Sequence, residues 1–578
     1  MRWVRDFILM VLVTAVFAVF LGWPIWQTVR VGFLGVADAG GRYGSFTFAY
    51  FWAVFKDPLL LAALGHSLLI AIAVTAACTL LSVPLALLGR RYDFRGKSLV
   101  NGLLLVPLIL PPFVGAIGMR QILGRYGVLT ALAQHAGIVG QNVPIDWFGS
   151  ARIIGVILVE TLSLYPILYL NVSAALANLD PAMEQAAANL GASRWTTFRR
   201  ITLPLMRPGL FAGGTIVLIW SFTELGTPLM FDYYSVAPVQ IFAQIGQINT
   251  TPIPYALTVV MLLGSAALYI VGKFVLGRKL DATVTKASVQ STARKLGWFS
   301  SIPVVIPFLL VIGLALLPHI GVVLTSIAGV GTWYDSVVPR VFTAHNYSAA
   351  LSSDVTLPSV ARSIEYASMS TVLDIALGLT IAFLIVRSRL PGLVKQTVDS
   401  LAMLPLAVPG LVMAFGYLAI SSRLQLKFPR VHLLDVHENP TFILVVAYAM
   451  RRLPYVVRSA VAGLEQTPVD LELAARNLGA GASRTLRRIT LPLISANLLA
   501  GALLAFAFAM LEVSDSLILA QKQEFWPITL GIYNLFQRLG DGPYIASALG
   551  VWAMILLTLT ILSANSLLGK RMGAIFRV

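Results

Sequence analysis

Several ionisable side chains stand inside long apolar runs, among them Glu160, Glu224, Arg451, Arg452, Glu512 and Asp515. A charge in hydrocarbon is costly, so each of these is a candidate either for contact with a solute or for pairing with another charge. Glu224 lies in Ser221-Phe222-Thr223-Glu224-Leu225-Gly226, and Glu512 and Asp515 lie in Leu511-Glu512-Val513-Ser514-Asp515-Ser516. Glu224 and Glu512 are 288 residues apart. Acids at matched places could line a path for a cation. Alternatively, Arg451 or Arg452 pairs with Glu512 or Asp515 and ties neighbouring helices together. Pairing is the preferred reading for the second half of the chain. Glu224 has no obvious basic partner in its own half and is the stronger path candidate.

The same spacing of 288 recurs in a polar motif. Glu184-Gln185-Ala186-Ala187-Ala188-Asn189-Leu190-Gly191 is followed by Ile201-Thr202-Leu203-Pro204, and Glu472-Leu473-Ala474-Ala475-Arg476-Asn477-Leu478-Gly479 by Ile489-Thr490-Leu491-Pro492. From Glu184 to Leu205 and from Glu472 to Leu493 the two stretches share 15 of 22 residues without a gap. Each reads as two short helices around a glycine. A glutamate in a first helical turn is favoured by the helix dipole. Asp180-Pro181 and Thr467-Pro468 supply helix-start chemistry, and Gly191 and Gly479 can take the backbone conformation of a tight turn. The pairs Arg199-Arg200 and Arg487-Arg488 then face lipid headgroups or the acids of a partner. Pro204 and Pro492 end the excursion.

Other chemistry is not supported. The six histidines, His66, His135, His319, His345, His432 and His437, lie outside the apolar runs or at their ends and lack metal-ligand spacing. There is no His-Glu-x-x-His or Gly-x-Ser-x-Gly, which argues against an intramembrane enzyme. Gly96-Lys97-Ser98 resembles the end of a phosphate loop, but Arg91 stands where its first glycine should be. The single cysteine, Cys78, sits in an apolar run and reads as a buried thiol.

The elements that must position these residues are membrane helices. The chain has 578 residues, of which 58% are hydrophobic and 12% charged, about half the charged share of a soluble domain. Apolar windows long enough to span a bilayer fall near 7–29, 63–88, 99–119, 152–175, 209–231 and 253–276, and again near 302–326, 364–386, 397–420, 441–462, 495–519 and 545–568. The expectation is an all-α polytopic membrane protein of about twelve spans, as two similar six-helix halves in a parallel repeat, 1–276 and 302–578, joined by a linker at 277–301. The first run is too long for a signal peptide and lacks a cleavage site, so it reads as a retained span. Basic residues such as Arg90, Arg91, Arg278, Lys279, Arg387, Lys570 and Arg571 collect in alternate loops. The positive-inside rule puts both termini and both motifs in the cytoplasm, and it accounts for the net charge of +17 without nucleic acid. Pro107 and Pro111 match Pro405 and Pro409, and Pro166 matches Pro454; prolines there must kink their helices.

Glu-x-Ala-Ala, a glycine seven residues after the glutamate, and then Ile-x-Leu-Pro resemble the cytoplasmic EAA loop of type I ABC-importer permeases. Gln185 falls at a position that varies freely in such loops. The resemblance implies that Glu184, Ala186, Ala187, Gly191, Glu472, Ala474, Ala475 and Gly479 form two coupling helices that carry ATP-driven closure from two ATPase subunits to a membrane gate. It also implies that one chain is two permeases fused. ATP and Mg would belong to those partner subunits, with no cofactor in this chain. A periplasmic or lipid-anchored binding protein would deliver the solute at a bacterial inner membrane. Fused permeases of this length are most similar to the ferric-iron group; thiamine, phosphonate or another anion stays open, since Arg120, Arg451 and Arg452 would suit one. An ion-driven carrier working alone would share the repeats and buried acids, but the duplicated loop has no role in it.

Overall fold

Hydrocarbon offers the backbone no hydrogen-bond partner, so an apolar run of spanning length must satisfy itself as a helix. The computed structural model is accordingly almost all helical. It describes every residue except 1, 37–43, 109–110, 141–142, 150–151, 178, 249, 277–292, 428–434 and 569–578. The principal helices are α1 (Trp3–Leu34), α2 (Pro58–Arg91), α3 (Pro112–Leu123), α4 (Ile153–Ala177), α5 (Pro181–Asn189), α6 (Leu203–Phe222) and α7 (Ile253–Leu276). The second set is α8 (Trp298–Ile327), α9 (Thr356–Val386), α10 (Gly410–Lys427), α11 (Thr441–Gln466), α12 (Val469–Asn477), α13 (Leu491–Met510) and α14 (Gly542–Leu568). The long helices are apolar on every side. In α2, Ile70, Ala71, Val74 and Cys78 are buried while Leu69, Ile72 and Leu80 face outward, as expected for a helix between protein and lipid.

Among the described residues nine helices are long and apolar enough to cross a membrane, or up to eleven if each of two bent pairs is one span. The expected third and ninth spans are the bent pairs. Lys97–Leu108 meets Pro112–His135 at 95°, and Gly392–Leu406 meets Gly410–Ser422 at 94°. Pro107, Pro111 and Pro112 lie at the first break, and Pro405 and Pro409 at the second, where proline withholds the N–H that a continuous helix requires. The expected tenth span is α11, helical throughout but bearing Arg451, Arg452 and Arg458. The expected fifth and eleventh spans end early, at Phe222 and Met510, and short helices Gly226–Met230 and Ser514–Leu519 follow. The linker expectation falls largely outside the described residues. Where description resumes, Arg294–Lys295 pairs in parallel with Tyr92–Asp93, which brings the described end of the linker segment onto the end of α2.

The halves interlock through their first helices. In α1, Thr28 donates to the carbonyl of Val412 at 3.0 Å, and Tyr417 donates to the carbonyl of Phe20 at 2.6 Å. Gly416 lies so close to Pro24 that a methyl group there would strike the Pro24 carbonyl. In the reciprocal crossing, α8 lies on α3. A methyl group on Gly321 would stand 2.6 Å from the carbonyl oxygen of Gly118, and one on Gly118 would strike the carbonyl of Pro318. Glycine is required at both because backbone meets backbone. Two separate bundles are thereby excluded.

Valine at Gly118 or Gly416 is expected to cost about 1–3 kcal/mol or more, because the colliding atoms are backbone and cannot move aside. A thermal melt of the detergent-solubilised protein checks this. Gly65→Val, in open space on α2, is the control that should melt with the wild type.

Candidate functional site

The two repeated loops fold alike. Asp180 caps α5 by accepting from the Ala182 N–H at 2.8 Å. The second copy starts differently: Thr467 turns its hydroxyl back to Gly463 of α11, and Pro468 leads α12. Gly191 and Gly479 take φ of +78° and +84°, the left-handed turn expected of them. Each motif then passes through one π-helical turn, Phe198–Thr202 or Leu486–Thr490, where the Leu203 N–H reaches Phe198 and the Leu491 N–H reaches Leu486. The next residue is proline in both copies, and its missing N–H would orphan a carbonyl in a regular helix. The wider turn absorbs that defect. Leu190 and Leu478, just before the glycines, are 88% and 89% exposed. Arg199, Arg200, Arg487 and Arg488 are exposed as well.

The two motif glutamates are not free. Glu184 accepts from Thr202 at 2.6 Å and pairs with Arg90 at 3.2 Å. Glu472 accepts from Thr490 at 3.3 Å and pairs with Arg387 at 3.2 Å, with Arg476 at 3.9 Å. The Glu472 side chain is only 4% exposed, and that of Glu184 23%. Ala187 and Ala475 are buried beside them, whereas Ala186 and Ala474 are exposed. Arg90 and Arg387 carry no mark in the sequence beyond a basic residue closing an apolar run. They recur 297 residues apart rather than 288, so comparing the halves at one spacing does not bring them together.

A second constellation lies between the halves. A cavity of about 150 Å³ is lined by Pro107, Pro111 and Pro112 of the first break, by Glu160 and Ser163 of α4, and by Trp220, Thr223 and Glu224. From the other half come Gly410, Arg451, Arg452, Phe508 and Glu512. Trp220 of α6 meets Phe508 of α13 edge to face at 6.2 Å. These two aromatics are again 288 residues apart.

The charges divide as the pairing reading requires. Arg451 and Arg452 both bind Glu512, and Arg451 reaches Asp515 at 3.3 Å. Gly410 makes room for the Arg451 guanidinium, which a side chain there would strike. Arg452 also lies 5.5 Å over the ring of Phe508. On the first half, Glu224 accepts from the Thr227 N–H and hydroxyl, at 3.2 and 3.3 Å, and has no ion pair among the described residues. Glu160 is 1% exposed; one oxygen accepts from Ser221, and the other has no partner among the described residues. Two arginines thus face two acids in the second half, and two acids of the first half line the cavity without an arginine. Asp374 of α9, which the sequence reading passed over, is fully buried with neither oxygen hydrogen-bonded among the described residues. Arg120 is engaged elsewhere, by Asp232 at 2.9 Å. No group of three metal-binding side chains occurs among the described residues, and His432 lies outside them.

The model of the binding-protein-dependent transport system inner membrane component matches residues 79–281 and again 374–573. The chain belongs to this family. The match occurs twice, so the permease is a fused pair, and each match includes one loop and one of the two matched glutamates. A protein of Haemophilus influenzae named for ferric transport as a permease is 28% identical over 75% of this chain and 65% of its own length. The ferric transport system permease protein of Actinobacillus pleuropneumoniae is 27% identical over 88% of this chain and 71% of its own length. The chain therefore spans about two thirds of the length of these relatives. A molybdenum transport system permease protein of Mycobacterium bovis is 35% identical, over 31% of this chain and 65% of its own length.

Removing the shared acid of the permease's ion-pair cluster should be expensive. Glu512→Ala leaves two buried guanidiniums sharing Asp515, and a loss of about 3–5 kcal/mol is expected, read as a lower melting temperature and yield. Glu224→Gln breaks no ion pair and should cost under about 1 kcal/mol.

Proposed function

We propose that the chain is the permease of an ATP-driven importer that passes ferric iron from a binding protein to the cytoplasm. The observation that carries this reading is the loop built twice, each copy ending in an exposed leucine, on a chain whose two halves each match the transport family. In this reading 1–276 and 302–578 are the two halves, joined by a cytoplasmic linker at 277–301. Twelve spans, counting the bent pairs and α11, would leave both termini on one side, and the basic residues of the alternate loops favour the cytoplasm for that side and for both loops. Two ATP-hydrolysing subunits dock there and hold ATP and Mg; the permease itself is not an enzyme. Ala186, Gly191, Ala474 and Gly479 shape the docking turns, while Leu190 and Leu478 supply the apolar knobs. Glu184, Ala187, Glu472 and Ala475 hold each loop to its own half.

The solute path is the cavity between the halves. Its uncommitted groups are the Glu160 and Glu224 carboxylates, with the hydroxyls of Ser163 and Thr223 beside them. Oxygen ligands and surplus negative charge suit a hard cation. Glu512, Asp515 and Arg451 contribute to the path, together with Arg452, as a neutral wall. The molybdenum permeases favour a second reading, an oxyanion. The arginines it would need are held by Glu512 and Asp515.

Proteoliposomes carrying the permease with its ATP-hydrolysing subunits, supplied with ferric-loaded binding protein, should accumulate iron only with ATP. Glu224→Gln should lower that uptake roughly tenfold, the equivalent of about 1.4 kcal/mol, while ATP hydrolysis continues. Uptake without the ATP-hydrolysing subunits would refute an ABC mechanism, and uptake of molybdate in place of iron would refute the substrate. Leu190→Asp with Leu478→Asp should abolish co-purification of the ATP-hydrolysing subunits.

A further inference from the structure

We propose that Arg90 and Arg387, which lie outside the repeated loops, are the joints through which each loop helix moves the membrane helices. The inference rests on the reading of the chain as an ATP-driven permease and adds the mechanical link that reading lacks. A loop helix of nine residues, two and a half turns long, is separated from its neighbours by short non-helical connections, which by themselves would let it pivot without moving anything else. Force must leave it through a side chain.

The geometry identifies that side chain. Arg90 stands in the last turn of α2, and its guanidinium has two engagements. One nitrogen meets Glu184 of α5 at 3.2 Å, and the other donates to the carbonyl of Leu179, just past α4, at 3.4 Å. Glu184 in turn accepts from Thr202, in the π turn that opens into α6. Four elements therefore meet at one ion pair: α2, the end of α4, the loop helix, and the helix that carries Trp220 toward Glu224. The second half repeats the joint with an ion pair of the same length, shorter bonds to the carbonyls and a longer one from the threonine. Arg387, closing α9, meets Glu472 at 3.2 Å and donates to the carbonyls of Leu464 and Thr467 at 3.0 and 2.8 Å, and Glu472 accepts from Thr490.

Two facts separate a joint from ordinary loop packing. The glutamates and threonines keep the 288 spacing of the duplication, and the arginines, 297 apart, fall within one residue of the 298 that separates Pro107 from Pro405 and Pro111 from Pro409. The same four-element contact is thus kept in both halves across the change of spacing between them. A glutamate as enclosed as Glu472 also has no face left for a docked subunit. A planar guanidinium binding a carboxylate and carbonyls from different elements resists both push and pull, which a lysine's single ammonium would do less well. The two joints are unequal: the second is more enclosed and makes one more bond, so its loss should be felt more.

The test uses the permease assembled with its ATP-hydrolysing subunits in proteoliposomes, with uptake of radiolabelled ferric iron from its binding protein and ATP hydrolysis measured on the same vesicles. Arg90→Ala and Arg387→Ala should each lower uptake roughly tenfold, Arg387→Ala the more, while hydrolysis stays within about twofold. Arg90→Glu combined with Glu184→Arg should regain most of the uptake, and Arg387→Lys should keep part of it. Uptake and hydrolysis falling in the same proportion in assembled vesicles would overturn the proposal, as would unchanged uptake or a swapped pair no better than Arg90→Ala alone. If Arg90→Ala does not assemble, the swapped pair decides. Hydrogen exchange on the detergent-solubilised permease supplies a readout independent of transport: loss of Arg90 should speed exchange in α5 and in the last turn of α2 together. Faster exchange in α5 alone would also overturn the joint. Absence of ATP-driven uptake in the wild type would instead sink the functional reading, leaving the joint to be judged by exchange.

Discussion

Everything at the centre of this molecule depends on two places where helix backbones touch. Gly118 against Pro318 and Gly321, and Gly416 against Pro24, let α8 and α1 lie directly on the opposite half. Helices in lipid gain nothing from burying apolar side chains, so close approach and the dispersion it yields must hold them together. A chain folded as two adjacent bundles would have no shared interior. Because each first helix embraces the other half, residues 288 apart come to face each other, as Trp220 and Phe508 do. The cavity is a product of the crossing, and its lining is drawn from both copies.

Duplication gives the two copies the same skeleton, and substitution then makes them electrically different. Glu224 and Glu512 are matched. Around them Ser163 and Leu164 correspond to Arg451 and Arg452, Thr227 to Asp515, and Glu160 to Tyr448. In the second half Arg451, Arg452, Glu512 and Asp515 each find an opposite charge, and the low dielectric makes those pairs strong once desolvation has been met. In the first half Glu224 accepts from Thr227 and Glu160 from Ser221, and neither has an ion pair among the described residues. One half thus supplies a rigid neutral wall and the other exposes carboxylates to the cavity. An exact duplicate could not do both, since arginines strong enough to lock one wall would neutralise the other.

Much of this was legible in the sequence because it is local or periodic. Apolar length located the helices, proline located the breaks at Pro107–Pro112 and Pro405–Pro409, and the repeat located both loops. Pairing of Arg451 or Arg452 with Glu512 or Asp515 follows from opposite charges standing inside apolar runs. What escaped was set by tertiary neighbours. Two spans became bent pairs and α11 carries three arginines, so twelve uniform windows became, among the described residues, nine straight candidates and two broken ones. Asp374 looks like one polar residue in a long run, and nothing local says that it is buried without a bond. Gly118 and Gly416 look like any glycine in a membrane helix, where glycine is common. Arg90 and Arg387 look like topological charge, because a basic residue at the end of a span has a sufficient explanation already.

That last confusion has a physical root. A basic residue at a span's end satisfies the charge rule wherever its side chain points, so the rule leaves its orientation undetermined. The rest of the motif removes that freedom. Pro204 and Pro492 impose a π turn, and the turn places Thr202 and Thr490 against the glutamates rather than a residue further along. The same defect occurs at Ala18–Gly22, two residues before Pro24, where it sets the line along which α1 reaches α10. Each of these glutamates, already bound to its threonine, also meets a guanidinium from the close of α2 or of α9. The proline therefore acts at a distance. By reshaping one turn it fixes the glutamate, and the glutamate fixes the arginine. The arginine then ties the loop to helices that run the length of the bundle.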